Sequence, residues 1–238
     1  MDNQELLTQI AQMMEEQTRS LREEMSSMES RINQKIDQAI AKNNVAIAEL
    51  VTEALEPVAR DIREIKAETG LPVIGLIKRE YPGYGGYITI TLREVRECVE
   101  AGADIVAVDC TNMPRGDGLT PAAYVRQIRA AYPQLVLMAD CATLEEAVAA
   151  HAAGADLVGT TMNGYTPQTA VHGEGPNAAL VEALVKTLPC PVLAEGRIHT
   201  PQQARQMLEL GAWAVVVGGA ITRPLEIAQR FMDAVRDL

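Results

Sequence analysis

The chain has 238 residues, of which 47% are hydrophobic, and a formal net charge of −11 at pH 7. That supplies enough apolar material for the core of one barrel or two small domains. The acidic balance argues against a general nucleic-acid surface, although a small anionic ligand needs only a local positive pocket.

The first 70 residues contain no Phe, Tyr or Trp, one Pro (Pro57) and one Gly (Gly70), with 14 acidic and 8 basic side chains. This is helix composition without turn signals. Leu7, Ile10, Met14 and Leu21 follow a helical spacing that Gln17 breaks, and Met25, Met28, Ile32, Ile36 and Ala39 resume it in a shifted phase. Such a shift reads as a stutter in a coiled coil. A long amphipathic helix cannot bury its stripe alone, so residues 1–56 are expected to form a helical arm that pairs chains into a homo-oligomer; a surface helix or loose arm is the plainer alternative. Met1 is followed by Asp2, Asn3 and Gln4, which is not the opening of a secretory signal. No apolar run reaches the roughly 18 residues a membrane helix needs. Cys98, Cys110, Cys141 and Cys190 lack metal-ligand spacing, and no two histidines have it either. Reduced, largely buried thiols, a cytoplasmic location, no membrane partner and no metal are the expectations.

After Gly70 short apolar runs recur at 73–77, 105–108, 135–139, 156–159, 192–194 and 214–217, separated by amphipathic stretches. Alternation of this kind predicts a parallel sheet with helical crossovers. Three segments repeat: Thr91 to Gly102, Thr143 to Gly154 and Thr200 to Gly211, each with Thr 11 residues before Gly. Glu94, Glu146 and Gln203 stand three residues after the Thr, completing capping boxes, and the Gly ends each helix. The segments lie 52 and 57 residues apart, room for two βα units each, so each repeat is a quarter of an eight-stranded barrel. Three quarters are present. The fourth should place Thr near residue 39 and Gly near residue 50, and neither is there. The predicted fold is therefore α/β, a (β/α)-barrel of the TIM type over residues 57–238 lacking its first two strands, with a helix at about 58–68 and the helical arm in place of the missing strands.

Working residues of such barrels lie at the C-terminal strand ends. Lys78 follows the first run and is suited to proton transfer if the strand end buries it, or is a surface Lys. Asp109 and Asp140 follow the next two, as hydroxyl-positioning carboxylates or as loop caps. Thr160, Thr161, Asn163, Gly164 and Tyr165 follow the fourth and can lie against a sugar. Glu195, Gly196 and Arg197 end the fifth: an acid–base carboxylate beside an anion-binding guanidinium, or a plain surface ion pair. Gly218 and Gly219 expose backbone N–H groups before a helix, and Arg223 adds charge; this is the strongest anion-site signal.

Together, the strings Val73-Ile74-Gly75-Leu76-Ile77-Lys78-Arg79, Met138-Ala139-Asp140, Gly159-Thr160-Thr161, Gly164-Tyr165-Thr166, Ala194-Glu195-Gly196-Arg197-Ile198 and Val217 to Pro224 resemble the N-acetylmannosamine-6-phosphate 2-epimerase family in order and spacing. The resemblance implies interconversion of N-acetylmannosamine 6-phosphate and N-acetylglucosamine 6-phosphate, in amino-sugar and sialic-acid catabolism, with no cofactor. It implies Lys78 and Glu195 as catalytic residues. Asp140, Arg197, Thr160 and Tyr165 become substrate-binding residues, and Gly164, Gly196, Gly218, Gly219 and Arg223 surround the phosphate. The family's first strand carries a substrate-contacting Gln and its second an Arg; residues 1–56 hold no counterpart, and the loop at 111–118 also departs from the pattern. Two other functions therefore stand beside the epimerase: a catalytically impaired phosphosugar-binding or scaffold protein on a coiled-coil arm, and another phosphosugar barrel enzyme.

Overall fold

The computed structural model describes residues 57–170 and 175–236. The expected arm, a possible stray strand at 45–47 and His172 lie outside the described residues.

The helix expected at about 58–68 is α1, Pro57–Thr69. It leads into β1, Ile74–Gly75. There follow α2 (Leu92–Glu100), β2 (Ile105–Asp109), α3 (Pro121–Ala131), β3 (Val136–Asp140), α4 (Leu144–Ala153) and β4 (Leu157–Gly159). The chain continues through α5 (Ala178–Thr187), β5 (Val192–Glu195), α6 (Pro201–Glu209), β6 (Ala214–Val216), the short α7 (Gly219–Thr222) and α8 (Pro224–Val235). The six strands form one sheet in chain order, every adjacent pair parallel. Among the described residues β6 does not pair with β1, so the sheet is an open half-barrel wrapped by helices.

The sequence repeat is the joinery of this fold. The Thr143 and Thr200 hydroxyls accept from the Glu146 and Gln203 amides, and the three box side chains of Glu94, Glu146 and Gln203 accept from the Thr amides in return. Each helix then closes on a left-handed glycine, with φ of 87° at Gly102, 120° at Gly154 and 95° at Gly211. Two residues further on, Asp104 and Asp156 clamp the strand entrances. Asp104 accepts from the Val73 amide at 2.9 Å and pairs with Lys66 of α1 at 2.6 Å. Asp156 accepts from the Leu137 amide at 3.0 Å and pairs with Arg129 of α3. The third quarter carries Trp213 in the Asp position. The fold thus ties helix, turn and strand with the same polar device twice, and α1 takes part in it as a true barrel helix.

Burial falls from the middle of the sheet outward. Every residue of β2, β3 and β4 is buried, because helices cover one face and the barrel interior the other. Val106, Val108, Leu137, Ala139 and Val158 pack there with Val95, Tyr124, Ile128 and Leu184 from the helices. No residue of β6 or α8 is buried, and Leu225, Phe231, Met232 and Val235 of α8 are 59–82% exposed. In a closed barrel the last helix packs against the first; here that apolar flank faces outward.

Candidate active site

The strand register decides which residues meet. Side chains alternate across a sheet with period two. Asp109 is level with Asp140, Asp140 with Gly159, Gly159 with Leu193, and Glu195 with Val216. Counting in twos along each strand places Lys78, Asp109, Asp140, Thr161, Glu195 and Gly218 on one face. At their C-terminal ends opens a cavity of about 330 Å³. Lys78, Thr161, Glu195, Arg197, Gly218, Gly219 and Arg223 line it, with Gly196 and Tyr165 at its side. The proton-transfer candidates and the glycine turn therefore share one cavity.

Lys78 is held by a local reversal of the chain. After β1 the backbone passes through a tyrosine-rich turn and returns antiparallel, with the Arg79 amide donating to Tyr87 O at 2.9 Å and the Thr89 amide to Ile77 O at 2.8 Å. Thr89 adopts φ 47°, fixed by its hydroxyl accepting from the Ile77 amide and its carbonyl accepting from the Tyr124 hydroxyl. Arg79, of opposite parity, turns away to Glu97 at 3.2 Å. Lys78 is exposed within the cavity rather than buried by the strand end, its Nζ 6.0 Å from the centre of the Tyr87 ring. Desolvation of this amine therefore has to come from what binds over it.

Asp140 and Glu195 end β3 and β5, with Thr161 between them just beyond β4. Asp140 is 1% exposed; its Oδ1 accepts from Thr161 Oγ1 at 2.7 Å and its Oδ2 has no hydrogen-bond partner. Burial, then the charge of Glu195, pushes the Asp140 carboxyl well above its ordinary value, while Thr161 and Lys78 pull the other way. Burial raises Glu195 too, against a hydrogen bond from Thr161 and the charge of Lys78. Asp109 does not reach the cavity lining. Its Oδ1 accepts from the Thr111 amide and hydroxyl at 2.9 and 2.6 Å, capping its own turn.

Thr160 and Gly164 depart from the placement expected of them. Thr160 does not line the cavity: its hydroxyl donates to Glu195 O at 2.9 Å and accepts from Glu195 N at 3.0 Å, stitching β5 to the β4 end. Its neighbour Thr161 is the one that faces inward. Gly164 lies under Arg197, where a Cβ would come within 3.0 Å of the guanidinium carbon. Gly196 and Arg197 take φ of 96° and 58° in succession, a left-handed pair that swings the Arg197 guanidinium toward Asn163 Oδ1 at 3.3 Å. At the far side Arg223 Nη1 meets Glu226 Oε1 at 2.7 Å, and a Cβ on Gly219 would lie 3.0 Å from Glu226 Oε2. Tyr87, His199 and Glu226 are polar cavity residues that strand-end reading passed over. The four thiols are free; burial pushes Cys98 up to about 12 and Cys190 to about 11, and raises Cys110 and Cys141 as well, so none is poised as a nucleophile.

A family model described as "Putative N-acetylmannosamine-6-phosphate epimerase" matches residues 39–237. The chain belongs to this epimerase family. The match begins upstream of Pro57, in residues the strand-end reading left to the arm. A relative from Caldanaerobacter subterraneus subsp. tengcongensis, named "Putative N-acetylmannosamine-6-phosphate 2-epimerase", is 48% identical over 177 residues, 74% of each chain. One of the same name from an Enterobacter species is 49% identical over 176 residues, covering 74% of this chain and 75% of its own. The solved N-acetylmannosamine-6-phosphate 2-epimerase of Clostridium perfringens is 43% identical, with a TM-score of 0.69 over 74% of this chain and 76% of that one. The half-barrel is thus the epimerase fold over about three-quarters of these proteins' length.

Among the described residues no helix is long and apolar enough to cross a membrane.

Proposed function

We propose that this chain epimerises C2 of N-acetylmannosamine 6-phosphate, giving N-acetylglucosamine 6-phosphate, by proton abstraction and return. The observation that carries the proposal is the sharing of one cavity by Lys78, Glu195, Arg197 and the Gly218–Gly219–Arg223 turn. C2 of the closed sugar is not acidic; opening the ring to the aldehyde makes it weakly so. An amine at Lys78 takes that proton and C2 becomes planar. Return of a proton to the opposite face inverts the centre, and Glu195 serves the acid–base work at the ring oxygen or at C2. Arg197 orients the sugar, with Tyr165 at the open side, and Asp140, buried behind the lining, supports this through its bond from Thr161. The amides of Gly218 and Gly219, with Arg223, hold the phosphate, as main-chain donors near a helix start do; Gly164 and Gly196 shape the turn that brings Arg197 beside them.

The names borne by the relatives do not favour the scaffold reading. The test is incubation with N-acetylmannosamine 6-phosphate in deuterated water. Formation of the C2 epimer carrying deuterium at C2 is expected. Binding with neither exchange nor product would sink the catalytic proposal and leave a phosphosugar-binding protein. A sugar phosphate does not cross membranes unaided, which supports a cytoplasmic setting, and the apolar stripe of residues 1–56 supports a homo-oligomer built through that arm.

A further inference from the structure

The substrate of the proposed reaction carries one apolar branch, the methyl of the N-acyl group on C2. The cavity has to hold that branch close to Lys78. The Gly218–Gly219 turn follows β6 and Lys78 follows β1, at opposite edges of the sheet. A sugar whose phosphate is held at the first and whose C2 meets the second lies across the strand ends, with its acyl branch on the β1 side.

The lining on that side is apolar. Tyr87 and Ile88 belong to the segment that returns antiparallel beside Lys78, and they line the cavity together with Met162. Ile88 and Met162 are buried and cluster with Ala142, and Tyr87 packs against that cluster. The other large apolar lining residues, Ile198 and Val216, stand beside Arg197 and just before the glycine turn, on the phosphate side. Distances agree with this placement. Proton transfer brings Nζ to about 3–3.5 Å from C2. The carbons flanking a trans amide are about 3.8 Å apart, so the acyl methyl lies about 4 Å from C2. The centre of the Tyr87 ring is 6.0 Å from Nζ. A methyl on this side of C2 is within reach of the ring, and a longer chain runs into it.

A second space adjoins the ring. Among the described residues, Glu80, Tyr81, Tyr84, Gly86 and Tyr87 contribute to a further cavity of about 530 Å³. Tyr87 is the residue that this cavity shares with the first. The turn that builds it is tied down: the Gly85 amide donates to Pro114 O at 2.7 Å, and the Tyr81 and Tyr84 rings meet with centres 6.0 Å apart.

We propose that Tyr87 determines which N-acyl group the enzyme accepts. Its ring ends the apolar patch of Ile88 and Met162 at the length of an acetyl group. It also closes that patch off from the tyrosine-lined cavity, which takes the end of a longer N-acyl chain once the ring is removed. The substrate class is thus the 2-acylamino sugar 6-phosphates with a short acyl chain. That the branch is an N-acyl group rests on the epimerase reading; that the two cavities meet at Tyr87 does not.

The test is kcat/KM of the full chain for N-acetyl-, N-propanoyl- and N-butanoylmannosamine 6-phosphate, with wild type, Tyr87→Phe and Tyr87→Ala. Wild type should lose at least about tenfold from acetyl to butanoyl, the low end of what an extra methylene costs in a filled pocket. Tyr87→Ala should raise the butanoyl-to-acetyl ratio at least about tenfold over wild type, whereas Tyr87→Phe, which keeps the ring, should hold that ratio within about threefold. Loss of packing alone would lower all three substrates together and leave the ratio where it was. Equal handling of acetyl and butanoyl by wild type, or a wild-type ratio in the Ala variant, overturns the proposal. Each ratio is taken within one preparation, so the folded fraction cancels. If the Ala variant yields no folded chain, Tyr87→Leu carries the same expectation. If wild type turns over no member of the series, the epimerase reading fails. Calorimetric Kd values for the same three ligands then decide the subsite by the same ratio, and binding of none of them overturns it.

Discussion

Gly159→Ala tests whether the geometry around Asp140 matters for turnover or only for packing. A Cβ at this position would collide with Met138 Cε and lie 2.7 Å from Asp140 Oδ1, where ordinary contact begins at 3.4 Å. The methionine methyl can swing aside. The carboxylate cannot move freely, because Asp140 is 1% exposed and its backbone is held between β2 and β4. Its oxygen has to retreat by more than half an ångström, which breaks the 2.7 Å bond from Thr161.

Overpacking of this kind costs about 1–3 kcal/mol, partly offset by about 0.4–1 kcal/mol from the stiffer unfolded chain. For a domain of this size each kcal/mol is worth about 2–4 °C in Tm, so a loss of up to about 10 °C is expected. Displacing the carboxyl pair should lower kcat by about 10–100-fold, since ångström-scale misplacement of reacting groups costs up to about a hundredfold. The control is Gly211→Ala at the opposite end of the sheet. There φ is 95° and a Cβ would lie 2.8 Å from Val185 Cγ1, and the left-handed strain alone costs about 1–2 kcal/mol. Calorimetric Tm and steady-state kinetics on both variants separate the effects: both should melt early, and only Gly159→Ala should lose kcat per folded molecule. A Gly159→Ala variant that melts early yet turns over at the wild-type rate would refute the role given to Asp140.

Three other perturbations have signed outcomes. Because burial raises the folded-state Asp140 carboxyl, the folded chain keeps that proton to higher pH than the unfolded chain, and stability falls as pH rises from the ordinary aspartate value, 3.8, through the raised one. Asp140→Asn should therefore melt higher than wild type at neutral pH and lose that advantage near pH 4, at the cost of activity; an equal Tm difference at every pH would contradict this. Glu226→Gln removes a carboxylate that reaches over Gly219 and pairs with Arg223 at 2.7 Å. KM for the sugar phosphate should drop about two- to fivefold at unchanged kcat, the scale of an exposed ion pair, and an unaltered KM would take Glu226 out of the phosphate's path. Light scattering on the full chain and on a chain beginning at Pro57 should give a larger assembly for the former; two monomers would remove the arm as an oligomerising element.

Most of the half-barrel was legible because its rules are local. Thr91, Thr143 and Thr200 announce helix starts through side chains three residues away, and Gly102, Gly154 and Gly211 announce their ends. Spacing between these signals then counts the strands. What resisted is non-local. The run at 73–77 yields only Ile74–Gly75 as ladder, because the chain beyond it leaves the parallel sheet to pair with Tyr87–Thr89, and no hydrophobic period marks that reversal. The Lys66–Asp104 and Arg129–Asp156 clamps were half-visible: Gly-Ala-Asp recurs at 102–104 and 154–156, but its partners lie 38 and 27 residues away.

The site shows the same division at finer grain. Knowing that barrels work at strand ends is enough to pick Lys78, Asp140 and Glu195, but not to choose between adjacent candidates such as Thr160 and Thr161. That choice follows from parity. Once Asp140 is known to be level with Gly159, and Gly159 with Leu193, a step of two along β4 reaches Thr161 and a step of two along β5 reaches Glu195. Thr160 is out of phase, so its hydroxyl is turned to the backbone of the next strand instead. Arg79 is out of phase with Lys78 and goes to Glu97. Register is a property of pairing between strands tens of residues apart, which no single strand's pattern contains. The two identical threonines therefore acquire different chemistry only when the sheet assembles, one as a structural stitch and the other as a cavity hydroxyl donating to Asp140.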